Sequence, residues 1–223
     1  TVIGEDQETT IIDGNQAGSV IRLQNGETND ALLDNFTITN GLNDLGGGIY
    51  IGQNTNPTLK NLIIIDNTVS LKGGGIFCDD NASASISNTQ ILNNTAGESG
   101  GGFCGIGGSL MMNNVQITDN NANIGAGLYL QTTASTLNNV IIKNNTASDI
   151  GGGISSESSN IFLNRSLIIN NTSTNSGGAI YIGAGTATIN KSTIVNNNMT
   201  ELEAFNGGSV LFISYGGNAI IDN

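Results

Sequence analysis

The stretch Gly73-Gly74-Gly75-Ile76-Phe77-Cys78, followed by Ser85-Ile86-Ser87-Asn88 and then Ile91-Leu92-Asn93-Asn94, contains every signal that decides the fold. A glycine run marks a tight corner. Three short apolar patches follow, each too short for a helix and rich in the residue types that favour strands. The unit closes on asparagine and begins again at Gly100-Gly101-Gly102. The same cluster stands at Gly46-Gly47-Gly48, Gly125-Ala126-Gly127, Gly151-Gly152-Gly153, Gly177-Gly178-Ala179 and Gly207-Gly208-Ser209, at intervals of 27, 27, 25, 26, 26 and 30 residues. A unit this small cannot bury its own apolar face, so successive units must stack. Three strands per turn at a nearly fixed period describe an all-β, parallel β-helix of about 25–27 residues per coil, and the crossover rule makes it right-handed.

Alternation along a strand assigns the faces. The residue after each cluster is apolar: Ile49, Ile76, Phe103, Leu128, Ile154, Ile180 and Val210. With Ile51, Cys78, Gly105, Leu130, Ser156, Ile182 and Phe212 two places on, these columns are expected to face inward. Between them Tyr50, Phe77, Cys104, Tyr129, Ser155, Tyr181 and Leu211 should face outward. The second strand places Leu59, Ile86, Met112, Leu137, Leu163 and Ile189 inside. The third places Ile64, Ile91, Ile117, Ile142, Ile168, Ile194 and Ile220 there, each followed three residues later by Asn67, Asn94, Asn120, Asn145, Asn171, Asn197 and Asn223. Asparagine at a bend tolerates left-handed geometry and bonds nearby backbone, and in register its amides also bond one another. These asparagines therefore read as a structural ladder.

The 223 residues form one β-helix domain, with 1–45 as a less regular first coil, 46–223 as regular coils and 198–206 as an enlarged turn. With 18 acidic against 6 basic residues the net charge is −12, which disfavours nucleic acid and anionic membranes. No apolar run approaches the roughly 20 residues a membrane helix needs, so no direct membrane insertion is expected. The chain reads as a segment of a longer polypeptide.

There is no histidine, which removes the commonest general base and the usual zinc sites. The glycine clusters match no phosphate-binding motif. Were the chain an enzyme, Asp79 and Asp80 with Lys72 would be its catalytic set. Asp44, Asp66 or Lys60 could complete such a set, as paired carboxylates suit a glycoside hydrolase and carboxylates with calcium and a base suit a polysaccharide lyase. No cofactor motif is present, and calcium on Asp79 and Asp80 is the one ion left open. Asp13-Gly14-Asn15 reads as a β-turn. The outward aromatics Tyr50, Phe77, Tyr129 and Tyr181 are the candidate ligand-binding platform, since ring faces stack on sugars or anchor protein partners. Cys78 and Cys104 lie 26 residues apart but on opposite faces, so they are expected to be free thiols.

Gly177-Gly178-Ala179-Ile180 with Ile194-x-x-Asn197, and the same pairing in earlier coils, resembles the repeats of chlamydial-type polymorphic outer-membrane proteins and adhesin-like β-helix proteins. Those families pair the glycine motif with Phe-x-x-Asn; here isoleucine replaces the phenylalanine. The resemblance covers roughly residues 31–223. It implies a pectin-lyase-like right-handed β-helix, secreted or surface-displayed, with an adhesive or scaffolding role and a host or neighbouring-cell protein or glycan as partner.

Overall fold

The computed structural model describes residues 1–201, 210–214 and 216–222. The cluster at Gly207-Gly208-Ser209, most of the enlarged turn at 198–206, and Asn223 lie outside these residues. Each turn contributes to three stacked sheets of fifteen, seven and eight strands, and every strand pairing within them is parallel. The fold is an all-β right-handed parallel β-helix solenoid.

One coil shows how the sequence makes the turn. Ser83–Ser87 and Gln90–Leu92 belong to the fifteen-stranded sheet and are separated by a bend at Asn88, whose φ is +49°. Thr95–Ala96 lies in the seven-stranded sheet, and Phe103–Ile106 in the eight-stranded one. Between the last two sits the glycine corner. In the six described clusters its first glycine has positive φ, from +59° to +71°, a region open to glycine and costly to L side chains. The later positions follow a looser rule, with alanine at Ala126 and Ala179.

The inward columns stack rung on rung. Ile21, Ile49, Ile76, Phe103, Leu128, Ile154 and Ile180 are paired in series, and from Ile49 to Ile180 none is more than 2% exposed. Full burial of such a side chain stabilises the fold by about 1.5–3 kcal/mol. The one large ring in the column is matched by a missing side chain: a Cβ on Gly105 would lie 3.0 Å from the Phe103 ring.

Four expectations are corrected. In the last coil Leu211, not Val210, pairs with Ile180, so Phe212 continues the outward row and Ile213 the second inward column. The offset from Ile180 to Leu211 is 31 residues, one more than the 30 that separate the two glycine clusters in sequence. Ile220 lies in Gly217–Asp222, pairs with Thr188 and is 51% exposed, so it belongs to the second-strand position and not to the inner isoleucine column. Residues 1–45 hold more than one coil, because Leu32–Thr39 already stacks on Val2–Ile3 and Ile11–Asp13. Finally, left-handed geometry falls on the residue before each ladder asparagine, at Asp66, Asn93, Asp119, Asn144, Asn170 and Asn196.

Candidate functional site

Two features recur from coil to coil. The first is the buried asparagine file. Asn67, Asn94, Asn120, Asn145 and Asn171 are fully buried, and Asn197 is 8% exposed. Each Nδ2 from Asn67 to Asn171 donates to Oδ1 of the next asparagine at 2.9–3.1 Å, and each backbone N–H donates to the same oxygen. Nδ2 also caps carbonyls such as Ile64 and Ile91. In the preceding coil Gly41 takes the corresponding place, its N–H donating to Asn67. A second, outer file at the other bend runs in the opposite sense: Asn114 donates to Asn88, Asn88 to Asn61, and Asn61 to the carboxylate of Asp34.

The second feature is the outward row of the eight-stranded sheet: Arg22, Tyr50, Phe77, Cys104, Tyr129, Ser155, Tyr181 and Phe212, paired rung to rung. It points outward and yet is largely covered. Phe77 is 2% exposed, Cys104 0% and Tyr129 6%, which corrects the expectation of an open aromatic platform. The cause is the glycine corner, which folds back so tightly that a Cβ on Gly73 would sit 2.7 Å from Phe77 Cβ, and one on Gly100 2.6 Å from Cys104 Cβ. Leu45 and Ile124 pack onto the row from the neighbouring sheet. Tyr50 and Tyr181 remain half-buried, stacked on Phe77 and Phe212 with ring centroids 5.8 and 5.4 Å apart. The Arg22 guanidinium lies 4.3 Å from the Tyr50 ring centroid. Tyrosine hydroxyls in the row donate to carboxylates, Tyr50 to Asp79 at 2.9 Å and Tyr129 to Glu157 at 3.0 Å. Burial first, and these carboxylates second, push both phenols above the ordinary tyrosine range.

Along this re-entrant corner a pocket of about 330 Å³ opens, lined by Lys72, Glu98, Ser99, Asn123, Ile124 and Tyr129. Ser99 is 4% exposed, and its buried hydroxyl lies beside the Cys104 thiol. A second pocket of about 270 Å³ lies further along, between Glu157, Ser158, Tyr181 and Ser214. Glu98, Asn123 and Glu157 were not marked by the sequence, since acidic and amide residues in turns look alike until the corner is folded.

The candidate catalytic set does not assemble around this pocket. Asp79 accepts from Tyr50 and from the Asp80 backbone N–H, whereas Lys72 lines the corner pocket, and neither aspartate is among that pocket's walls. Among the described residues no group of three or more His, Cys, Asp or Glu side chains could hold a metal ion. Asp13 holds a local turn, accepting from the Asn15 N–H at 2.8 Å. Cys78 and Cys104 are buried free thiols on opposite faces of adjacent strands. Among the described residues no helix is long and apolar enough to cross a membrane.

A three-sided solenoid wound from parallel strands, with an internal amide file and a glycine corner in each coil, defines the class as a right-handed parallel β-helix repeat protein. The family described as "Right handed beta helix region" matches residues 7–167, and the chain belongs to it. Residues 165–183 are in addition similar to the Chlamydia polymorphic membrane protein repeat, a stretch that includes Gly177-Gly178-Ala179-Ile180. No curated protein and no solved structure matches the chain.

Proposed function

We propose that this chain is a non-catalytic, adhesin-like module of an extracellular or surface-displayed protein, a rigid acidic scaffold that binds carbohydrate at its glycine corner. The observation that carries the reading is the corner pocket. Its about 330 Å³ suits one sugar ring. Lys72 and Asn123 offer donors, and Glu98 and Asn123 offer acceptors. Tyr129 and Ile124 add apolar wall, as the non-polar face of a sugar requires. The Chlamydia repeat similarity supports surface display.

The test is a glycan array screened with and without calcium, followed by product analysis of every hit and a repeat with Glu98→Gln and Lys72→Ala. Intact glycans retained by the parent and lost from both variants support the reading. Cleaved or unsaturated products overturn its non-catalytic part, and a blank array overturns carbohydrate as the ligand.

A further inference from the structure

The outer face of the fifteen-stranded sheet carries a pattern that neither the core nor the corner uses. Six strands from Ser83–Ser87 to Gly217–Asp222 lie side by side in unbroken parallel register. Their central outward row reads Ser85, Met111, Thr136, Phe162, Thr188, Ile220. Large apolar and small hydroxyl side chains alternate at every rung. The three large ones are exposed, Met111 by 50%, Phe162 by 37% and Ile220 by 51%. Between them runs a groove of about 500 Å³ over Thr136 and Thr188. In a chain with 24 charged residues, the outward positions of these six strands carry one charge, Asp222 at the far edge.

We propose that this face is a self-complementary docking surface for a second copy of the chain. A two-fold axis parallel to the strands, midway between Ala134–Asn138 and Ser159–Asn164, reverses the order of rungs in the second copy. Every protrusion then meets a gap: Phe162 lies over Thr136 of the other copy, Met111 over Thr188 and Ile220 over Ser85. Reciprocity of this kind is what an isologous interface demands. The flanking rows match in the same operation, Asn160 over Ala134 on one side and Asn113 over Asn190 on the other. Copies with a charge of −12 repel wherever their acidic surfaces meet, so the uncharged face is where two of them can touch. Six strands span about 24 Å and five residues about 14 Å, a contact of a few hundred Å² per copy. That falls below the roughly 800 Å² per partner of a standard interface, so the dimer is weak and concentration-dependent.

Sedimentation equilibrium of the whole chain from about 5 to 500 µM tests this. A monomer–dimer equilibrium is expected. Phe162→Glu, which places a carboxylate beside the axis, should weaken it at least about tenfold, and Met111→Lys should do the same at the next protrusion. Asn123→Asp, at the corner pocket, should leave it unchanged, which separates this face from the carbohydrate site. Circular dichroism establishes that each variant is folded. A chain that stays monomeric throughout, or a dimer indifferent to both Phe162→Glu and Met111→Lys, overturns the proposal.

Discussion

Asn94 Nδ2 lies 3.1 Å from Asn120 Oδ1, one coil further on, and the backbone N–H of Asn94 donates to that same oxygen at 2.9 Å. One carbonyl therefore holds two buried donors. Asn120→Ala strands the Asn94 backbone N–H, leaves Asn94 Nδ2 with only its bond to the Ile64 carbonyl, and deprives the Ile91 carbonyl of its Asn120 Nδ2 donor. Since each orphaned buried group costs about 1–3 kcal/mol, the variant should lose about 3 kcal/mol or more in urea denaturation. Asn61→Ala, at a more exposed bend, should lose distinctly less.

The positions of a glycine cluster are not equivalent. Gly100 has φ +67°, and a Cβ there would meet the Phe103 carbonyl oxygen at 2.5 Å. Gly100→Ala should cost about 3 kcal/mol or more, as strain and a backbone clash add. Ala126→Gly, at the middle position of the next corner, should cost no more than about 1 kcal/mol. Paired thermal melts decide between these magnitudes.

Burial pushes the Cys104 thiol up to about 12, against the opposing pull of the Lys72 charge, and burial pushes Cys78 higher still. In the unfolded chain both ionise near their ordinary value of 9.0. Stability should accordingly be complete below pH 9 and fall as pH rises above it. The slope is about 1.4 kcal/mol per pH unit for each thiol that stays protonated only in the folded state. Cys78→Ala with Cys104→Ala should remove most of the slope between about pH 9 and 10, below the range in which the raised Tyr50 and Tyr129 phenols add to it. Neither thiol should react with a disulfide reagent until the chain unfolds, which absorbance reads directly.

Tyr50 is held above the ordinary tyrosine range by burial, and then by its hydrogen bond to Asp79 and the charge of that carboxylate, while Arg22 pulls the other way. Asp79→Asn should lower its titration midpoint, and Arg22→Gln should raise it. The readout is ultraviolet difference absorption of the phenolate.

The solenoid was legible because its determinants are local and repeated: a glycine that must take positive φ, an isoleucine after it, and an asparagine closing the third strand. Alternation gave the faces of Tyr50 and Cys104 correctly but not their burial. Period-two reasoning treats the outside of a strand as solvent, and here the chain's own corner covers it. Phe77 and Cys104, apolar in an outward row, were the available signal. The slip from Val210 to Leu211 was hidden because a 30-residue interval leaves its extra residues unassigned. The corner pocket combines Lys72, Glu98 and Tyr129 from three separate segments, so nothing in their spacing announces it.

The buried asparagine file and the outer file that ends on Asp34 also give the stack an electrical direction. In the buried file every Nδ2 points to the following coil, so its amide dipoles add head to tail with the positive end at Asn197. In the outer file the donors point back, and that positive end meets the carboxylate of Asp34. Water screens the outer dipoles more than the buried ones, so the two do not cancel. Coils of nearly identical sequence are therefore not interchangeable blocks: one end of the buried file offers acceptors and the other donors, and a grafted coil is accepted only when its amides continue that polarity.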